Sequence, residues 1–244
     1  MSFLIQHQQL ALKSISAPIQ LVHYNPDCYS PDLFSEEFNI QAPERLKQWV
    51  IKRQAQFLAG RIAAKNALSC FSITAEKISI SEHREPIWPK GIIGSISHSN
   101  HESIAVVQHQ TRVDIGVGLD IQAIFEKSEY TKLLPVILSR SDLAVYNKME
   151  RCFPKQYLAT LIFSAKESFF KAVFSQVSQY FDFKDVSVQS IDLLSNHLTL
   201  ATKTSSIILP EIMLVIHYDF LELNEHKRKV ITYCENKNVK KVMK

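Results

Sequence analysis

An α+β fold is the class this chain predicts, on three observations. Segments with a period of two and segments with a period near 3.6 both occur. They do not alternate strand with helix in the regular way a doubly wound sheet requires. And 46% of the 244 residues are hydrophobic, enough for one large core or two half-sized ones. No apolar run approaches the roughly 20 residues of a membrane span. The start, Met1 to Gln9, lacks the basic and apolar regions of a signal peptide. No transmembrane segment is therefore expected, and the expected location is cytoplasmic.

In chain order, Ile19 to Tyr24 reads as a strand, and a stretch punctuated by Pro26, Pro31 and Pro43 leads into a long helix from about Glu44 to Cys70. Pro43 before an acidic first turn is a good helix start. Strand-like Lys77 to Ile80, a loop from Glu85 to Gly91, and two short strands, Ser95 to His98 and Ser103 to Val107, follow. The second half opens with a strand around Asp120 and runs through helices near 130–138, 141–149 and 155–177. It closes with β-rich Ile191 to Thr199, Ile207 to Phe220 and Lys229 to Cys234, the last two resembling a hairpin. Both halves place strands around a helix, so a duplicated architecture stays open, although no repeat is visible.

Charge and composition narrow the function. The net charge is +4, but residues 227–244 hold seven Lys or Arg against Glu235 alone, so this tail carries +6 and the remaining 226 residues −2. A nucleic-acid binder needs basic residues spread over a face with interleaved aromatics, which a near-neutral body does not offer. The tail reads as a solvated terminus that could assist an acidic partner. Four scattered cysteines without C-x-x-C spacing indicate neither a zinc knuckle nor a disulfide framework, and reduced, mostly buried thiols are expected. His98 and His101 have a ligand-like gap but no third or fourth ligand. There is no Walker loop or dinucleotide fingerprint. All five glycines fall between residues 60 and 118, which concentrates backbone room there.

Two segments carry acids in a pattern that a metal-dependent phosphate enzyme could use. From Val113 to Ile121 the odd positions are apolar and must be packed, which leaves Asp120 and Gln122 side by side on the other face behind Gly116 and Gly118. Small residues beside an acid suggest a ligand approaching the backbone. Phe163, Phe170 and Phe174 give a helical stripe, widened by Val173 and Val177, with Glu167 on or beside it. A carboxylate there needs a cation, since burying it unpaired is costly. Lys171 one turn on is one candidate, and an Mg²⁺ shared with Asp120 is another. An ordinary Glu–Lys pair on a helix flank would account for the same residues, and from the helix alone that alternative stays open.

Other pieces suit a polyanion. Arg53 and Arg61 share a helix face around Phe57, Arg84 opens a loop, and Ser97 and His98 lie on a serine-rich strand whose hydroxyls and amides can bind phosphate. The ordered series of motifs is Phe57-Leu58-Ala59-Gly60-Arg61, Arg84-Glu85-Pro86-Ile87-Trp88-Pro89, Gly94-Ser95-Ile96-Ser97-His98-Ser99, Val117-Gly118-Leu119-Asp120-Ile121-Gln122 and Phe163-Ser164-Ala165-Lys166-Glu167-Ser168-Phe169-Phe170-Lys171. It resembles the 4′-phosphopantetheinyl transferase superfamily, and within it the enterobactin-synthetase component D type.

The resemblance implies a pseudo-dimeric fold of two similar subdomains, residues 1–112 and 113–244, with coenzyme A in the cleft between them. It implies transfer of the phosphopantetheine arm to a serine of an apo acyl, peptidyl or aryl carrier protein, with release of adenosine 3′,5′-bisphosphate, in siderophore or related synthesis. Asp120, Gln122 and Glu167 would be the Mg²⁺ ligands. Arg53, Arg61, Arg84, Ser97 and His98 would meet the CoA phosphates, and Lys166 and Lys171 would flank the pyrophosphate. Glu167 is the expected base, a monomer is expected, and the carrier is expected to dock near Lys132 to Arg151. In one place the chain departs from the family pattern. Gln122 stands where an acid is usual, which brings an oxygen but no charge. That departure favours a rival reading, a module that binds CoA or a carrier without catalysis.

Overall fold

The computed structural model describes residues 2–74, 78–83, 85–112, 115–203, 211–222 and 228–236. Helix and sheet are mixed, as an α+β chain requires. The chain divides into two compact units, one of Met1–Ala11 with Ser16–Thr111 and one of Leu12–Ile15 with Arg112–Lys244. The switch thus falls at residues 111 and 112, and the short segment Leu12–Ile15 belongs to the second unit.

The first unit holds an antiparallel sheet of β1 (Leu4–Gln9), β2 (Gln20–Tyr24), β5 (Ile92–Ser99) and β6 (Glu102–His109), ordered β1-β2-β6-β5. A two-strand ladder of β3 (Ser79–Ile80) and β4 (Pro86–Ile87) stands apart from it. Two helices complete the unit, the short α1 (Leu33–Glu36) and the long α2 (Ile51–Ser69). Strand β1, of sequence LIQHQQ, is a polar edge strand, which is why no apolar alternation announces it. The long helix starts later than Glu44. Residues Glu44–Gln48 form a 3-10 turn behind Pro43, and Trp49 and Val50 are extended, so the α-helix begins only at Ile51. Ala55, Ala59 and Ala63 of α2 share a core with Val22, Ala105 and Val107 of the sheet.

In the second unit five antiparallel strands run β7-β11-β10-β9-β8. They are β7 (Gly116–Ala123), β8 (Val186–Asp192), β9 (His197–Thr202), β10 (Met213–Glu222) and β11 (Arg228–Asn236). Helices α3 (Lys127–Ile137), α4 (Arg140–Met149) and α5 (Lys155–Val177) accompany them. Helix α5 follows Pro154 and stops at Ser178, which takes a left-handed conformation with φ 50°. Its Leu158, Leu161, Ile162, Ala165, Phe169 and Val173 meet Leu198, Leu214, Ile216 and Val230 in the core.

The β-rich stretch Ile191 to Thr199 is the turn of a hairpin between β8 and β9: Asp192 accepts from the backbone N–H groups of Leu194 and Ser195 at 2.8 and 3.1 Å, and Asn196 turns the chain with φ 51°. Two expectations are corrected here. The basic tail is no solvated terminus over Arg228–Asn236, which forms a strand between β7 and β10 with Lys229 buried. Of the thiols, only Cys234 is buried; Cys28 is half-buried and Cys70 and Cys152 are exposed, all four free. Among the described residues no helix is long and apolar enough to cross a membrane.

Candidate functional site

Asp120 and Gln122 lie two apart on β7 and so share a strand face. At Gly118, on that same face, the group that approaches is not a ligand. A Cβ on Gly118 would stand 1.8 Å from the carbonyl oxygen of Ser168 and 3.1 Å from the amide nitrogen of Ala172. The glycine lets α5 lie against the strand, which corrects the expectation that it clears room for a substrate.

Helix α5 meets β7 and β11 with Ser164, Ser168 and Lys171, whose spacing of four and three puts them on one side. The Ser164 hydroxyl donates to Asp120 Oδ2 at 2.8 Å, and the Ser168 hydroxyl donates to the Thr232 carbonyl at 3.0 Å. Thr232 Oγ1 donates to the Ser164 carbonyl at 2.9 Å. Ser164, Ser168 and Thr232 are fully buried, so each bond is made away from water and replaces one that folding removes. Ser164 was not foreseen as a site residue, though its spacing from Lys171 could have found it.

Lys171 Nζ donates to Asp120 Oδ1 at 2.8 Å and to the Leu119 carbonyl at 2.9 Å. Its side chain remains a quarter exposed while that of Asp120 is 8% exposed, so one face of the pair is open. Glu167 joins them electrostatically: burial holds its carboxyl above the ordinary range, Lys171 pulls it down, and the Asp120 charge raises it further. Asp120 and Lys171 are thus in contact, and Glu167, one helical turn before Lys171, lies close enough to feel both charges. Gln122, half-buried, donates its amide N–H to the Ala123 carbonyl at 3.3 Å, which leaves its amide oxygen as the end able to meet a cation.

Among the described residues no cluster of three or more His, Cys, Asp and Glu is arranged to hold a metal ion. Two carboxylates with an amide oxygen two residues from one of them form a smaller set of hard oxygen donors. Such a set suits Mg²⁺, which commonly takes one or two carboxylates and fills its remaining positions with water and substrate phosphates.

Lys166 does not join this group. Its side chain is 1% exposed, and Nζ donates to the Ile137 carbonyl at 2.8 Å, to Asp142 Oδ2 at 2.7 Å and to the Phe183 carbonyl at 2.9 Å. An ammonium has three N–H donors. All are spent inside the protein, so the expectation that Lys166 flanks a pyrophosphate does not fit its placement.

In the first unit Arg53, on the exposed start of α2, pairs with His98 Nε2 of β5. Arg61 is buried: its guanidinium lies 4.3 Å over the Phe57 ring and Nε donates to the Ile78 carbonyl at 3.0 Å. Burial, with Arg53 a smaller second cause, brings Arg61 down to about 10, still charged at neutral pH. Ser97 and His98 are neighbours on a strand and so point to opposite faces, with Ser97 buried. They cannot hold one ligand from the same face. Arg84 lies outside the described residues.

Residues 42–108 match the 4′-phosphopantetheinyl transferase N-terminal domain family, and residues 116–232 match the 4′-phosphopantetheinyl transferase superfamily. Enterobactin synthase component D of Salmonella typhi is 38% identical over 135 residues, which cover 55% of this chain and 54% of that protein. The namesake of Escherichia coli (strain K12) is 35% identical over 59% of this chain and 67% of the relative. The 4′-phosphopantetheinyl transferase PptT of Mycobacterium tuberculosis is 30% identical over 57% of this chain and 59% of that protein. In the first of these the chain spans about half the relative's length.

Proposed function

Since this chain belongs to the 4′-phosphopantetheinyl transferase superfamily, we propose that it moves the phosphopantetheine arm of coenzyme A onto a serine of an apo carrier protein in siderophore or related synthesis, in the cytoplasm. The observation that carries the proposal is the gathering of Asp120, Glu167 and Lys171 between β7 and α5, inside the segment that matches the superfamily. The pseudo-dimeric arrangement with CoA between two subdomains is part of the same proposal. It is supported by each unit having one long helix on an antiparallel sheet.

In this reading Asp120, Glu167 and the Gln122 amide oxygen would hold Mg²⁺, which when bound would offset the pyrophosphate charge. Lys171 has a third N–H beyond its bonds to Asp120 and Leu119, free in direction to meet a phosphate oxygen. The carrier serine oxygen attacks the phosphorus that bears the pantetheine arm. The bond from that phosphorus to the bridging oxygen breaks, and adenosine 3′,5′-bisphosphate leaves. Glu167 takes the serine proton, a role open to it because it lines the cavity on the free flank of α5. Arg53 and His98 are proposed to bind the CoA phosphates, with Arg61 restricted to its outer nitrogens by the Phe57 stack. The exposed Lys132, Arg140, Lys148, Val136 and Leu143 on α3 and α4 form the proposed docking face for an acidic carrier.

Incubation with CoA, Mg²⁺ and a panel of apo carriers, read by mass spectrometry, tests this. One phosphopantetheine added to a carrier serine is the expected product. CoA bound with no carrier modified would favour the second reading, a binding module, for which Gln122 in an acid's place is the specific observation.

A further inference from the structure

The second unit contains a buried ion pair that the proposed chemistry does not use. Asp142 is completely buried at the N-terminal turn of α4, where it accepts from Lys166 Nζ at 2.7 Å, from the Ser139 amide at 2.7 Å and from the Val188 amide at 2.6 Å. With the two carbonyls that Lys166 also reaches, the pair ties together the end of α3, the start of α4, the middle of α5, the segment at Phe183 and β8. Removing two charges from water costs several kcal/mol per ion, and only full pairing offsets it. That cost is met here at a residue adjacent to Glu167.

Helical geometry gives the pair a purpose. At about 100° per residue, Lys166 projects nearly opposite the face that carries Ser164, Ser168 and Lys171. Helix α5 is thus anchored by polar contacts on two sides, to Asp120 and Thr232 on one and to Asp142 on the other. Glu167 and Phe170 project from the flank between the anchors. That flank lines a cavity of about 150 Å³ whose other wall includes Phe181, Phe183 and Val186. The far wall is held by the same node, because Phe183 accepts from Lys166 and Val188 donates to Asp142. The ion pair therefore adds a second restraint on the rotation of α5 and also holds the gap beside Glu167.

We infer that Asp142, acting through Lys166, is a positioning residue for Glu167, and that Lys166 makes no contact with CoA. The inference rests on the transferase reading for its kinetic consequences. In Asp142→Asn the lysine keeps its burial and loses its counter-charge. The expected result is a fall in kcat of about tenfold or more with the KM for CoA unchanged. The double variant Asp142→Asn with Lys166→Met removes both charges and keeps an amide oxygen for the backbone N–H groups of Ser139 or Val188. It should melt above either single variant, since effects at contacting residues are not additive, yet keep kcat about tenfold low with the KM for CoA unchanged, because the tie that orients α5 is gone.

A double variant that folds but has a KM for CoA raised about tenfold would overturn the inference, because Lys166 would then be touching substrate. If the unaltered protein transfers nothing to any carrier, the transferase reading fails instead. The melting temperatures then decide: coupled substitutions support the node and additive ones overturn it.

Discussion

Helices α2 and α5 both lie on antiparallel sheets, but they are seated by different chemistry. Ala55, Ala59 and Ala63 of α2 meet Val22, Ala105 and Val107, an apolar seat that sets distance yet tolerates small rotations. Helix α5 is seated on Ser164, Ser168, Thr232, Asp120 and Lys171, hydrogen bonds whose directions restrict its rotation. The difference follows what each helix presents. Helix α2 offers cations, Arg53 and Arg61, which can serve a polyanion from several distances; α5 offers Glu167, whose value depends on meeting Asp120 and Lys171.

Two glycines, Gly118 of β7 beneath α5 and Gly60 within α2, should break the comparison most widely. Gly118→Ala puts a methyl 1.8 Å from the Ser168 carbonyl oxygen, a backbone atom that cannot yield. A loss of about 3 kcal/mol or more, or of soluble protein altogether, is expected in urea unfolding. In Gly60→Ala the methyl meets Ile96 Cγ2 at 3.1 Å, the end of a side chain that can shift. The gain of roughly 1 kcal/mol in helix propensity should offset it, leaving stability within about 1 kcal/mol.

Charge removal separates the same two regions in kinetics. Asp120→Asn should lower kcat for carrier modification about 100-fold or more, whereas Arg53→Ala should raise the KM for CoA about tenfold and spare kcat. A KM effect from Asp120→Asn with normal kcat would reverse the roles.

The polar pattern was legible where period and spacing suffice, and lost where they do not. The alternation ending at Ile121 gives β7, and helices α3, α4 and α5 fall within three residues of their expected bounds. An isolated glycine signals a close approach without naming what approaches, so Gly118 read as ligand room although the helix fills it. Lys166 and Lys171 are both five or fewer residues from Glu167, and spacing alone could not tell that the carboxylate of Asp142, 24 residues away, claims the first. The tail read as solvated because its charge was counted, while Val230, Ile231 and Thr232 were already the inward part of β11.

Acidity offers a smaller effect. Glu167 is raised above its ordinary 4.5 chiefly by burial, so the folded protein binds its proton more tightly than the unfolded chain does. Stability therefore falls as pH rises from 4.5 through the folded value. Glu167→Gln should melt above the original protein at pH 7, match it near pH 4, and lose part of that advantage when Mg²⁺ is added. Equal melting temperatures at pH 7 would contradict the raised proton affinity of the half-buried Glu167.

Single hydroxyls test the seating itself. Ser168→Ala is expected to cost about 1 kcal/mol, since it removes hydroxyl bonds while Thr232 keeps its bond to the Ser164 carbonyl. Ala59→Ser on α2 is expected to cost about 1–3 kcal/mol by placing a hydroxyl in an apolar core.

The central claim is that Asp120 and Glu167, with Gln122 in place of a third acid, grip one divalent ion at a diphosphate. The most direct test is the rate of carrier modification against Mg²⁺ concentration for the original protein, Gln122→Glu, Asp120→Asn and Glu167→Gln. The account predicts a curve shifted to lower Mg²⁺ for Gln122→Glu and little activity at any Mg²⁺ for the other two variants. Four coincident curves would contradict it.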